Sequence, residues 1–451
     1  DIATAGDQIW VAAGTYKPTT GFAGRDKSFV LPDGVDVYGS FEGDEALLSH
    51  REFGQTPTSV LSGEIGTVSD SDNSYHVVRL PAGIGGRLDG FEIAGGYANG
   101  PGLDGRGGGV VVEGDTLLYT FSRVRIYANW ADDGGGGIFA SGGFRLTAST
   151  LTGNRTGGVG GGLDVTGGLV GMSQVTLDAQ QARNAAVLRA SGDAAVQGFN
   201  VTMTKNTAMD DTGIRIEDTA ALLLKHATLY SNTAVDATPG FIDLASTSRL
   251  DLVNSVVWAN TGLDIDVAAG ADADIRYSVV PAGCPVHAVC QAVFDENPQV
   301  SATLADLGGL VPVLALAQGS PAVDSALEGE CLSTDARGAN RPFDGDADEH
   351  DECGMGAFEF VPAALRSEHQ VMLVQVGQPG HDLEPAARLL GVGRIAILNR
   401  GLLCPSLECR AERTLRRIAH ALGDIPNRLV AVSQKIRRHL VDAAGCVHSS
   451  A

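Results

Sequence analysis

Asp210 and Asp236 stand 26 positions apart in this chain of 451 residues, each four residues past an asparagine, Asn206 and Asn232. If equivalent positions stack one above another, two such carboxylates lie about one strand spacing, near 5 Å, apart. That separation suits the carboxylate pair of a retaining glycosidase or two ligands of a shared Ca2+. Mutual repulsion would also raise one of the two pKa values, which catalysis can exploit. The same offset reads Asp133, Gly158, Asn184, Asp210 and Asp236, so Asp133 and Asn184 join them as candidate ligand-binding groups. Asp is equally the ordinary residue of a solvated turn, and that reading stands beside the catalytic one. The pairs Asp132-Asp133 and Asp210-Asp211, 78 positions apart, fall about 14 Å apart on one corner and cannot share a substrate bond.

Two further groups of residues carry potential chemistry. Tyr230 and Trp258 each fall two residues before an asparagine, Asn232 and Asn260, which predicts neighbouring rings on one solvent face where a sugar could dock. Aromatic neighbours on adjacent strands also stabilise a sheet without any ligand, by ~0.5 to 1 kcal/mol. Asp344, Asp346 and Asp348 alternate within an acidic run, an arrangement that lets one loop wrap a Ca2+ with oxygen ligands. It is not an EF-hand, because Glu349 stands where the loop glycine belongs and Met355 where the bidentate Glu belongs. A plain hydrated turn is the competing reading. His76, His226 and His287 are isolated, and no serine or cysteine nucleophile motif is present.

The elements that position these groups are written in a repeat. Asn129, Asn154, Gln180, Asn206, Asn232 and Asn260 are 25, 26, 26, 26 and 28 positions apart. Three residues before each stands an apolar side chain: Ile126, Leu151, Leu177, Met203, Leu229 and Val257. Two residues before each stands a polar or amphipathic one, so one side chain faces in and the next faces out. Such a period marks a solenoid, and short β-branched runs between Gly, Asn, Asp and Thr exclude the helical solenoids. The expected fold is therefore all-β: a right-handed, single-stranded parallel β-helix of about 26 residues per coil, its amides stacked in a structural hydrogen-bonded column. Gly is 60 of 451 residues, clustered at Gly107–Gly109, Gly134–Gly137 and Gly160–Gly162, where coil corners need tight or left-handed backbone.

Residues 1–123 read as irregular N-terminal coils, 124–280 as the regular coils, and 281–360 as a turn-rich closing segment with four cysteines. Residues 361–451 differ: they hold 12 of the 32 Lys and Arg but only 7 of the 54 Asp and Glu. This basic tail has helical apolar spacing over 411–422 and 429–441 and is expected to be helical or unstructured; its abrupt change of character also fits a shifted reading frame. The net charge of −22 argues against nucleic-acid backbones and anionic membranes as partners. No stretch reaches the ~18 apolar residues of a membrane span. The run Gly6 to Tyr16 already reads as a coil, so we expect either a removed signal peptide or a few dozen missing residues that cap it.

The two ends of the first 360 residues carry a resemblance. Ile9-Trp10-Val11-Ala12-Ala13-Gly14-Thr15-Tyr16, with Val37-Tyr38-Gly39-Ser40-Phe41 and Val60-Leu61-Ser62-Gly63, resembles bacterial extracellular parallel β-helix proteins of the pectate-lyase-like superfamily. Gly319-Ser320-Pro321-Ala322-Val323-Asp324, Thr334-Asp335-Ala336-Arg337-Gly338 and Gly356-Ala357-Phe358-Glu359 are similar to the closing motif of choice-of-anchor surface proteins. Cys353-Gly354-Met355 departs from the Cys-Asp-Ile common in that motif. The resemblance implies a fold and an extracellular or cell-surface location, not a reaction. The catalytic motifs of polygalacturonase-like hydrolases and the calcium and arginine motifs of pectate lyases are missing.

Cys284 with Cys290, and Cys331 with Cys353 around the closing motif, suit two local disulfides in an oxidising compartment. Free buried thiols or a zinc site are the other readings, although zinc-type CxxC pairs are absent. Cys404 and Cys409 could pair as well, leaving Cys446 odd. Together these features point to a secreted or surface-displayed monomer whose rigid face serves adhesion or binding of an extracellular polysaccharide. A polysaccharide lyase or glycoside hydrolase acting through Asp210 and Asp236 is the alternative, and a ligand-free structural stalk the third.

Overall fold

Short strands whose inward positions are apolar can bury them only by stacking coil on coil, and the chain does so. The computed structural model describes residues 3–362 apart from 20–23, 52–57, 68, 84, 115–118, 211 and 236–239. They belong to one compact unit, Asp1–Ala363, a parallel β-solenoid built from sheets of 17, nine and six strands. The basic tail with Cys404, Cys409 and Cys446 lies outside the described residues, as do Asp211 and Asp236.

One coil shows the plan. Leu169–Asp178 runs in the largest sheet, Gln181–Ala182 in the six-stranded sheet and Leu188–Ala190 in the nine-stranded sheet, before Ala195–Thr204 re-enters the largest sheet one level on. Two left-handed residues make the bends, Gln174 (φ 57°) in mid-strand and Ala179 (φ 55°) just before the amide. Both recur in the neighbouring coils, at Ala148, Asn200, His226 and Asn254 for the first bend and at Ala128, Lys205, Ser231 and Ala259 for the second.

Ladder register places Ile126 beside Leu151, then Leu177, Met203, Leu229 and Val257. All six are fully buried, each worth ~1.5 to 3 kcal/mol of apolar burial. Next to this column run the amides. Asn129 Nδ2 donates to Asn154 Oδ1 at 3.0 Å, Asn154 Nδ2 to Gln180 Oε1 at 3.1 Å, Asn206 Nδ2 to Asn232 Oδ1 at 2.8 Å, and Asn232 Nδ2 to Asn260 Oδ1 at 2.8 Å. Gln180 is the exception: its longer side chain turns Nε2 back to the Asp178 carbonyl, and its backbone N–H reaches Asn206 Oδ1 at 2.8 Å.

The glycine triplets fit the gap between the six- and nine-stranded sheets. Gly135 takes φ +65°, and a Cβ on Gly137 would lie 2.6 Å from the Gly162 carbonyl and 3.2 Å from Asn154 Nδ2. Backbone here approaches backbone too closely for any side chain.

The closing segment differs from its expected form in two ways. A strand, Val289–Phe294, continues the largest sheet beyond residue 280, pairing Asp274 with Val289 and Ile275 with Cys290. The remainder folds back along the outside of the solenoid, where Val311, Val313, Ala322, Met355 and Phe358 bury against Val256 and Val279 of the largest sheet. Cys284–Cys290 and Cys331–Cys353 are both disulfide-bonded.

Candidate functional site

The residue after each corner amide from Asn129 to Asn232 enters the six-stranded sheet with its side chain outward, and Tyr97, after Gly96, does so one coil earlier. Register there aligns Tyr97, Trp130, Arg155, Gln181, Thr207 and Thr233, while the inward neighbours are small, among them Ala98, Ala131, Ala182, Ala208 and Ala234. Tyr97 and Trp130 stack with ring centroids 6.0 Å apart and planes 19° from parallel. Trp130 is held by its Nε1–H, which donates to Asp132 Oδ1 at 2.8 Å. Beside this pair opens a groove of about 480 Å3 lined by Trp130, Arg155, Gln181, Arg183, Met209 and Asp210.

The charges in the groove are unequal. Asp210 is tied to Arg183 by a guanidinium–carboxylate bond. Arg155 is exposed and forms no ion pair among the described residues. Met209, 55% exposed, supplies an apolar edge. An aromatic pair, an apolar edge and polar tips on a rigid sheet can hold a ring's face and its hydroxyls, and among the described lining residues Asp210 is the carboxylate.

The sequence-predicted residues are scattered. Asp236 falls outside the described residues, so its pairing with Asp210 is not seen. The offset that grouped Asp133 with Asn184 slips: Gly134 bridges Val159, and Val159 bridges Asn184, so Asp133 aligns with Gly158 and Asn184 sits one position further along. The cause is length, since Val159 stands five positions past Asn154 but Asn184 only four past Gln180. Asn184 is half-buried with an unpartnered Oδ1, and the Asp133 carbonyl accepts the Val159 N–H at 3.1 Å.

Tyr230 and Trp258 are adjacent in register, as the spacing predicts. Trp258 packs part of its surface against the apolar cluster under the closing segment and stays half-exposed. Stacked rings are found at Tyr97 and Trp130, both half-buried, and Trp130 directly follows Asn129.

Of the acidic run, Asp344 and Asp346 meet Asp324, their carboxylate oxygens within 4.8 Å of one another. Asp348 turns away to accept the His350 N–H at 2.8 Å. Burial, with Asp346 and Asp344 adding repulsion, raises Asp324 to about 6 against the Asp346 and Gly345 N–H groups that favour its charge. Asp344 is already the acceptor for the Ala347, Asp348 and Glu349 N–H groups, so the turn closes on its own bonds. A Ca2+ there would be held by Asp324, Asp344 and Asp346.

No family model, curated protein or solved structure matches this chain.

Proposed function

We propose that this β-helix is an extracellular or cell-surface protein that binds a glycan chain on the outer face of its six-stranded sheet. The observation that carries the reading is the Tyr97–Trp130 stack at the edge of a groove with Arg155, Gln181 and Met209 on successive coils. Rings held on a stack of coils keep a fixed spacing of about 4.8 Å per level, so a rigid ladder of contacts suits an extended polymer. Two disulfides suit an oxidising compartment. No helix among the described residues is long and apolar enough to cross a membrane.

The test is retention on immobilised neutral and acidic polysaccharides, with reducing ends and unsaturated products measured in the same incubation. We expect retention without cleavage, and a tenfold or greater loss of affinity, about 1.4 kcal/mol, in Trp130→Ala. Cleavage products would favour the lyase or hydrolase reading. Absence of retention across the panel would leave the stalk.

A further inference from the structure

The closing segment makes an unusual set of bonds to the first bend of the solenoid. Register aligns Gln174, Asn200, His226 and Asn254 on four successive coils, all left-handed. Every one of these side chains bonds the closing segment. Gln174 Nε2 donates to the Asp335 carbonyl at 3.1 Å and Asn200 Nδ2 to the Thr334 carbonyl at 2.7 Å. Asn254 donates to the Leu327 carbonyl and accepts the Leu327 N–H at 2.8 Å. His226 Nδ1 faces Arg341 Nη1 at 2.6 Å. Thr176 and Thr228, one column over, bond Pro312 and Ala357. On the preceding coil the bend residue is Ala148, which has no polar side chain to make such a bond.

Arg341 knots the segment together and meets the solenoid at His226. It is fully buried, donates to the Gly354 and Gly356 carbonyls at 2.7 Å each, and pairs with the equally buried Glu359 at 3.1 Å. The Cys331–Cys353 disulfide closes the loop that carries it.

A bare solenoid has only neighbour-to-neighbour contacts, so its coils open progressively from an end. One segment bonded to four coils changes that, because no single strapped coil can open without breaking the shared attachment. We propose that residues 311–361 are a strap that makes the coils from Gln174 to Val279 a single cooperative unit, with Arg341 as its fastening. Among the described residues, coils before Ala148 make no such side-chain bond to this segment, and they open independently of it.

The test is amide hydrogen exchange on the full chain, read coil by coil, for the wild type, Arg341→Met and the paired change Gln174→Ala with Asn200→Ala. In the wild type, the most protected amides of coils between 174 and 279 should share one opening equilibrium. Removing one partner of a buried charge pair should accelerate that whole block by roughly a hundredfold or more. The paired change leaves the core untouched and should accelerate the block on the order of tenfold, at about a factor of three for each of the two lost bonds. Strands between 59 and 131 should keep their wild-type rates in both. A coil-by-coil gradient in the wild type overturns the proposal. So does an acceleration in the paired change that is confined to the coils of residues 174 and 200, or that is equal in strapped and unstrapped coils. Should Arg341→Met fail to fold, the wild type and the paired change decide the matter alone.

Discussion

Replacing Asn206 by Ala tests the amide column where its hydrogen bonds are best defined. Asn206 is fully buried. Its Oδ1 accepts the Gln180 N–H at 2.8 Å, while its Nδ2 donates to the Leu177 carbonyl at 3.1 Å and to Asn232 Oδ1 at 2.8 Å. Truncation to Ala leaves the Gln180 N–H and the Leu177 carbonyl without these side-chain partners inside a dry column. At ~1 to 3 kcal/mol for each of these two orphaned buried groups, the cost is about 2 to 6 kcal/mol. Two controls bracket it. Thr207→Ala, next in sequence but outward, should cost within about 0.5 kcal/mol. Asn260→Ala removes a similar set of bonds, to Leu229 and Asn232, at the half-exposed end of the column, where water can replace them, and should cost about 1 to 2 kcal/mol. The assay is urea unfolding followed by far-ultraviolet circular dichroism. An Asn206→Ala cost no larger than that of Thr207→Ala, or equal to that of Asn260→Ala, would refute the reasoning.

Three other outcomes are expected. Gly161→Ala places a Cβ 2.6 Å from the Ala186 carbonyl and 2.7 Å from that of Gln181; it should cost at least about 3 kcal/mol of unfolding free energy, whereas Gly171→Ala, whose nearest neighbour is a flexible Arg145 carbon at 3.6 Å, should be tolerated. Burial and the adjacent Arg341 and Lys225 hold His226 well below the usual imidazole range, so the folded ring resists a proton that the unfolded ring takes. Stability of the wild type relative to His226→Gln should therefore fall as pH drops below about 6.5. Glu359, pushed up to about 7 by burial, works in the opposite sense in both proteins, adding stability as pH falls from about 7, so the comparison of melting curves isolates the histidine. Asp210→Asn breaks only an exposed pair with Arg183 and should shift the melting free energy by less than about 1 kcal/mol; if it abolishes a measured cleavage activity while the fold is intact, the binding-only reading fails.

The fold was legible because the core column and the amides repeat at one spacing, and that spacing is what the ladders use from Ile126 to Val257. What the period hides is a change of length within a coil. The turn after Gln180 is one residue shorter than the turn after Asn154, and that slip undid the proposed column of Asp133 with Asn184. The fold-back of residues 311–361 has no periodic signal, since its partners lie more than a hundred residues away at Gln174, Asn200 and His226. This cover also packs against part of Trp258. A signal for it does exist at the bend, where Ala148 gives way to Gln174, Asn200, His226 and Asn254. The Tyr97–Trp130 stack was open to reading as well, because the position after each amide from Asn129 to Asn232 is outward.

The binding face can be tested directly through tryptophan fluorescence, since the chain has three tryptophans and one lies in the groove. With Trp10→Phe and Trp258→Phe, Trp130 becomes the sole emitter. Titration with a retained polysaccharide should shift or quench its emission in a saturable way, with a midpoint matching the affinity measured by retention. Unchanged Trp130 emission at polysaccharide concentrations that saturate retention would contradict the assignment of this face.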